Sequence, residues 1–489
     1  NQSLTTGIFP HQLKIAKSKP IYKKGDQHSF DNYRPISFLP AISKVLEKIV
    51  FQQVYDYFTD NNLLYESQYG FRKLHSTELA ALEITDRIYQ SLDQNKTPLA
   101  IYLDLSKAFD TIDHSILLHK LEFYGINGAA LHWFKSYLTN RKQYVQFNEV
   151  KSPLLPITTG VPQGSILGPL LFIIYMNDIH KVTDKFHSIL YADDTALVEP
   201  LCSFTFPLTN SSQINSECTK NVNLELRNIS EWLSLNKLSL NVQKTKMMIF
   251  HNRQRNISSL IPNLEINGIT IEHVKTFNFL GLILDEHLTW NSHIQKICGK
   301  IACVIGTMNR LKRFLPSFIL NQIYNSLVLP HLTYSILTWG TKLKRVQKLQ
   351  KWAVRTITNS KYNSHTDPLF RKLNLLKVQD IYSITALKFY YRYHNETLPS
   401  FFRNMFETTH PSHSYPTRNR DIPRLAIPHT SNVAISIRYT IPRLLLHTPA
   451  CITNKIDTHS LQGFTKYTKK YLCSLYDEIC HIPHCYICQ

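Results

Sequence analysis

Three aspartates stand where apolar runs of the chain stop. Asp104 closes the run Leu99-Ala100-Ile101-Tyr102-Leu103, and Asp193-Asp194 interrupt the stretch from Ser188 to Leu197. An Asp-Asp pair at a hairpin tip is ordinarily a solvated turn, and an acid at a strand end is ordinary too. Together they say more. If the two segments pair, three carboxylates converge, and like charges that close repel unless cations lie between them. Hard divalent ions with oxygen ligands, Mg²⁺ above all, suit such a site. Two Mg²⁺ ions about 4 Å apart would stabilise the attacking and leaving oxygens of an in-line phosphoryl displacement. No Cys or His stands near these acids at a spacing that zinc would require, and Asp113-His114 lies too far along the chain.

The elements that must carry these acids can be read around them. Leu99–Leu103 is a continuous apolar run bounded by turn residues, which predicts a buried strand. Residues 188–197 predict a hairpin. Ile42, Val45, Leu46, Ile49, Val50, Val54 and Phe58 recur at helical steps and predict one apolar helix face. Further helices are expected at about 77–92, 115–124, 128–139 and 221–234, with strands at 142–147 and 238–250. The run 170–176 is apolar all round and predicts a buried helix behind a Gly/Pro-rich loop. Asn267-Gly268 marks a hairpin turn. Ile294, Ile297, Ile301, Val304, Met308 and Leu311 make a stripe on a later helix. Lys344, Lys348, Lys351 and Arg355 share one face of a helix over 341–355, either a solvated face or a nucleic-acid contact. Residues 1–35 read as basic and Pro-interrupted, 203–222 as a polar surface insertion, and 410–450 as a loosely structured connector.

Whole-chain properties narrow the classes. The 489 residues suit roughly three domains. With 43% hydrophobic and 18% charged residues the chain is globular rather than disordered. The longest apolar run, Ile166–Met176, is too short to span a bilayer and holds Gly168 and Pro169, so no membrane partner is expected. The nine cysteines show no disulfide framework, and an intracellular setting is expected. Lys and Arg total 55 against 35 acids, a formal charge of +20. An excess of that size points to a polyanionic partner, nucleic acid first. Cys473, Cys480, Cys485 and Cys488 with His481 and His484 cluster at the end, and only Cys485-x-x-Cys488 has the spacing of a metal knuckle.

Asp104-Leu105-Ser106-Lys107-Ala108-Phe109-Asp110, Gly160-Val161-Pro162-Gln163-Gly164 and Tyr191-Ala192-Asp193-Asp194 resemble successive motifs of reverse transcriptases, those of jockey-like non-LTR retrotransposons in particular. Tyr33-Arg34-Pro35-Ile36-Ser37 and Gln68-Tyr69-Gly70-Phe71-Arg72 resemble motifs that precede these, and Leu240-Asn241-Val242-Gln243-Lys244-Thr245 and Phe279-Leu280-Gly281 two that follow. The resemblance implies an α+β right-hand polymerase: fingers at 1–98 and 114–160, a palm at 99–113 and 161–285 with an antiparallel sheet backed by helices, a helical thumb at 286–400, and a C-terminal region, 401–489, of unclear fold. It implies RNA-directed DNA synthesis on an RNA template from a DNA primer or nicked target with dNTPs. An inactive nucleic-acid-binding copy is the alternative.

Residue by residue, the resemblance makes Asp104, Asp193 and Asp194 the ligands of two Mg²⁺ ions, with Mn²⁺ able to substitute and the Leu105 carbonyl contributing. Arg34, and one of Lys23 and Lys24, would grip the triphosphate. Phe109 would exclude a 2′-hydroxyl, Gln163-Gly164 would underlie the nucleotide, and Lys244 would protonate pyrophosphate. Tyr191 and Phe279-Leu280-Gly281 would meet the primer. The chain does not begin with Met and is read as a fragment whose endonuclease lies upstream. The nucleus is the expected location.

Overall fold

A computed structural model describes residues 2–198, 212–255, 257, 261–406, 423, 427–430 and 433–476. The chain packs as two compact units. The first takes Asn1–Lys73, Leu99–Met247 and Ser258–His273, and the second takes Leu74–Pro98, Met248–Ile257 and Val274–Gln489. Strands and helices mix throughout, so the class is α+β.

The central sheet runs in the order Glu272–His273, Lys246–Ile249, Leu99–Leu103, Asp194–Val198, His187–Tyr191. All five residues of Leu99–Leu103 are buried, as their unbroken apolar character requires. This strand pairs antiparallel with Asp194–Val198, from Ala100 opposite Val198 to Leu103 opposite Thr195. His187–Tyr191 flanks the other side, ending with Tyr191 opposite Asp194. The expected antiparallel sheet is mixed, because Lys246-Met247 runs parallel to Glu272-His273. The expected single strand over 238–250 is two, Ser239–Leu240 and Lys246–Ile249. Asn241 divides them: its carbonyl accepts from Thr245 N at 3.0 Å and its side chain from Lys244 N at 3.2 Å, a local turn that competes with the ladder.

Helix Leu167–Tyr175 is buried along nearly its whole length and packs against helices Ala41–Asp60 and His114–Phe123. Helix Ala41–Asp60 forms where its periodicity predicts, but with a different face inward. Ser43, Glu47, Val50, Val54, Tyr55 and Phe58 are buried, while Ile42, Val45 and Ile49 are exposed. The reason is Glu47. Its carboxylate accepts from Ile166 N at 2.7 Å and Leu167 N at 3.3 Å, and from Ser43 Oγ at 2.9 Å. A buried charge thus caps the orphan amides of the following helix, and that draws Ser43 and Glu47 inward.

A second sheet of the first unit corrects the reading of the basic N-terminus. Ile15–Tyr22 is a strand, antiparallel to Tyr33–Phe38 and parallel to Arg141–Phe147. Pro20 is tolerated because it faces Pro35 across one ladder, and the other ladder stops at Ser18, before Pro20 would have to donate.

In the second unit, helix Asn291–Leu311 buries Ile294, Ile297, Ile301, Ile305 and Met308, while Val304 and Leu311 stay half-buried. Thr77–Asp93 is a helix capped by Ser76 Oγ, which accepts from Leu79 N at 3.2 Å. The expectation of a loose connector over 410–450 fails in its later half. Ile437–His447 is a helix, and residues 429–439 are tied to Thr77–Asp93. Arg438 Nε donates to Asp86 Oδ2 at 2.8 Å, and Asp93 Oδ1 accepts from His429 N at 2.8 Å. Most of the earlier part of that stretch lies outside the described residues, as do 203–211 of the expected insertion and Cys480, His481, His484, Cys485 and Cys488. Residues 212–222 of that insertion belong to helix Ser212–Leu235. No helix among the described residues is long and apolar enough to cross a membrane.

Candidate active site

The register of the central sheet brings the aspartates together. Leu103 lies opposite Thr195, so Asp104 leaves its strand beside Asp194, where the neighbouring strand begins. Ala192-Asp193 form the two-residue tip between Tyr191 and Asp194. Ala192 holds a left-handed φ of 57° while its side chain is buried. L-residues resist that conformation, so something must impose it. Gly70 permits the close packing at this tip, since a Cβ there would lie 2.4 Å from Ala192 N. Tyr69 N donates to Leu190 O at 2.7 Å, and Leu190 N to Ser67 O at 2.9 Å. The Gln68-Tyr69-Gly70 segment therefore clamps the outer edge of the aspartate hairpin.

The carboxylates act on one another. Asp194 is pushed up to about 6, first by desolvation, then by the charges of Asp193 and Asp104, with Lys23 opposing. Asp194 keeps a fair part of its surface open, so solvent screens these charges. Of the two candidate N-terminal lysines, Lys23 is thus the one whose charge reaches this carboxylate. Lys244 Nζ lies 3.5 Å from Asp104 Oδ2, both side chains being well exposed. Asn241 N donates to Asp104 O at 2.8 Å and fixes the turn that presents Lys244. Leu105 is buried and pairs with Leu240.

A second layer closes behind the acids. Phe109 stacks on buried Phe172, centroids 4.3 Å apart, meets Phe71 edge-on at 6.2 Å, and remains half-exposed. It is both a core contact and a ring open on one side. Val161 N donates to Phe109 O at 3.0 Å. Gln163 Nε2 donates to both oxygens of Asp110 at 2.8 and 3.0 Å, and burial pushes the Asp110 carboxyl up. Gly164, at φ 120°, would put a Cβ 2.6 Å from Ser37 O. The close approach that demands glycine is therefore to the strand Tyr33–Phe38, joined also by Ser37 N to Gln163 O at 2.7 Å. Arg34 is exposed on that strand, opposite Ile21. Tyr191 is half-buried.

The remaining candidates belong to the second unit. Phe279 is buried at a strand end, and Leu280-Gly281 make a tight turn with Leu280 at φ 45°. Tyr334 Oη donates to Leu280 O at 2.5 Å and holds that turn. Helix Lys344–Thr358 exposes Lys344 and Lys348 and leaves Lys351 half-exposed. Arg355 departs from the expected solvent-facing set. Its Nε and Nη2 donate to Ser364 O at 2.9 and 2.8 Å, and burial lowers its pKa.

Sequence reasoning missed two supporting residues, Glu47 and Gly70. Glu47 gave no signal beyond being an acid on an apolar helix. Gly70 carried one, a glycine inside a quoted motif, without showing what it approached. The donor set fits hard divalent cations: three carboxylates at one sheet end raise Asp194, and a cation would relieve that repulsion. Their oxygens stand more openly than the group His251, Glu286 and His287, the set of ligand atoms found within 4.8 Å of one another among the described residues.

A family model described as reverse transcriptase (RNA-dependent DNA polymerase) matches residues 21–284. The chain is similar to the probable RNA-directed DNA polymerase from transposon BS of Drosophila melanogaster, 29% identical over 401 residues, 78% of this chain and 42% of that protein. It is similar to the RNA-directed DNA polymerase from mobile element jockey of the same species, 28% identical over 409 residues, covering 80% and 42%. It thus spans less than half the length of these relatives. Among solved structures it resembles apo telomerase from Candida tropicalis at a TM-score of 0.42 and 12% identity, over 79% of this chain and 67% of that one.

Proposed function

The chain belongs to the reverse transcriptase (RNA-dependent DNA polymerase) family, and from that premise we propose that it copies an RNA template into DNA for a jockey-like, non-LTR mobile element. Family membership brings the right-hand polymerase fold, α+β. The division into fingers, palm and thumb given above is part of the proposal.

In the proposed reaction a primer 3′-hydroxyl attacks the α-phosphorus of a deoxynucleoside triphosphate. A phosphodiester bond forms, the bond to the β-phosphate oxygen breaks, and pyrophosphate leaves. Asp104, Asp193, Asp194 and the Leu105 carbonyl would hold two divalent cations, Mg²⁺ or Mn²⁺. Such ions, when bound, supply Lewis-acid stabilisation of charge on the attacking and departing oxygens. The protein's own groups do the positioning. Arg34 and Lys23 grip the triphosphate as guanidinium and ammonium. The open side of Phe109 meets the sugar and leaves no room for a 2′-hydroxyl. Gln163 and Gly164 form the floor under the nucleotide. Lys244, beside Asp104, holds the proton that the departing pyrophosphate needs. Tyr191 and the turn Phe279-Leu280-Gly281 meet the primer, and Lys344, Lys348 and Lys351 sit against nucleic-acid phosphates. The nick that primes synthesis lies in chromosomal DNA, so we place this work in the nucleus.

The observation that carries the reading is the meeting of Asp104 with the Asp193-Asp194 hairpin, close enough that both charges act on Asp194. Primer extension on poly(rA)–oligo(dT) with Mg²⁺ tests it. The wild-type chain extends the primer, and Asp193→Asn reduces extension by a factor on the order of 10³ or more with RNA binding unchanged. Equal binding by both chains with product from neither would assign the protein to non-catalytic RNA binding.

A further inference from the structure

The polymerase reading leaves one buried cluster of the second unit unused. His251 follows strand Lys246–Ile249, and Glu286 and His287 follow strand Leu282–Asp285. His251 N donates to Glu286 O at 3.1 Å, which sets the two backbones side by side. The three side chains offer ligand atoms that all lie within 4.8 Å of one another, and none is exposed.

The rings are oriented for ligation. His251 Nδ1 lies 3.1 Å from Asn252 O, and His287 Nδ1 lies 2.9 Å from His251 O. A carbonyl oxygen only accepts, so both Nδ1 atoms carry hydrogen. In the neutral rings the lone pairs are then on Nε2, and both Nε2 atoms face Glu286. His251 Nε2 is 3.7 Å from Oε2, and His287 Nε2 is 3.9 Å from Oε1. These separations are too long for hydrogen bonds. They approach the spacing of about 3.3 Å between two donors each about 2.05 Å from one tetrahedral ion. An Nδ1–H held by a carbonyl while Nε2 binds is the arrangement that outer partners impose on metal-bound histidines. The turn is also preset. Asp285 Oδ1 accepts from His287 N at 3.2 Å and Thr289 N at 2.9 Å, and Oδ2 accepts from Trp290 N at 2.9 Å.

We propose that His251, Glu286 and His287 bind a divalent transition-metal ion, Zn²⁺ foremost, with a water completing the shell. Two imidazoles and one carboxylate match zinc's borderline character and do not suit Mg²⁺. The ion would cross-link the end of Lys246–Ile249 to the turn that opens helix Asn291–Leu311. The site is independent of the aspartates and of the polymerase reading.

The test uses the full chain carrying Cys485→Ser and Cys488→Ser, so that those thiols contribute nothing, in buffer containing Mg²⁺. Zn²⁺ is titrated against a chromogenic chelator, and melting is followed with and without the metal. One Zn²⁺ binds per chain and raises the melting temperature. His287→Gln and Glu286→Gln each weaken binding at least tenfold and abolish that rise. Co²⁺ in the same chain gives visible bands without a thiolate charge-transfer band. Absence of zinc binding by this chain, or equal affinity in His287→Gln, overturns the proposal.

Discussion

Two trios of residues able to ligate a metal occur, one in each unit, and they are built in opposite ways. Asp104, Asp193 and Asp194 are like-charged and open to solvent, and they are gathered by strand register. His251 is buried and Glu286 and His287 are half-buried, the set mixes imidazole and carboxylate donors, and backbone carbonyls hold both rings. A site that must admit substrate keeps open positions, and its ligands repel one another until cations arrive. A site that only ties chain to chain can close, and its partners fix each ring in advance. The contrast explains why the tighter cluster is not the one with the family's chemistry.

The sharpest way to break this contrast is to exchange readouts. Asp193→Asn should abolish extension and leave the zinc-dependent rise in melting unchanged. His287→Gln should leave extension within about twofold and lose the zinc-dependent rise in melting. If His287→Gln lost extension as fully as Asp193→Asn, the two trios would not be separate in function. A smaller effect is expected at Glu47, which supports the open site from behind. Glu47→Gln replaces a carboxylate that accepts three bonds with an amide that has one acceptor oxygen. A loss of about 2–3 kcal/mol in urea unfolding is expected, because capping amides are left poorly satisfied. An unchanged unfolding midpoint would show that Glu47 does not cap the helix.

The smallest effect concerns Asp194, and its sign is opposite. The folded chain raises this carboxyl to about 6 from 3.8, so between those values it holds a proton that the unfolded chain releases. Wild-type stability therefore falls as pH rises through that window, and the penalty is full above it. Asp194→Asn should melt about 1–3 °C higher than wild type at pH 8 and equal to it at pH 3.5. A variant that melts lower at pH 8 would show that the acids do not repel in the folded protein.

Much of the first trio was legible because its signals are local. A five-residue apolar strand, a hairpin and an Asp-Asp tip are each read within a short window, and the ordered motifs carried the rest. What escaped depends on contacts distant in sequence. Glu47 turned a helix so that Ile42 and Val45 face outward, which periodicity alone reads the other way. Strand Ile15–Tyr22 hides its type because Pro20 and its two lysines suit an edge or a loop, and its parallel partner is Arg141–Phe147. The close approach of Gly164 to Ser37 O joins segments far apart in the chain, which no local window displays. The histidine trio had no signal, since His251 stands 35 residues before the adjacent Glu286-His287 and only folding unites them.

The pairing of Asp86 with Arg438 bears on how this protein can be cut. Asp86 is 1% exposed, and Arg438 donates to both of its oxygens. A chain shortened to end at helix Val378–His394 would strand that anion in a buried position with its counterion gone. Such a trimmed chain would aggregate on expression, and Asp86→Asn would be the simplest remedy.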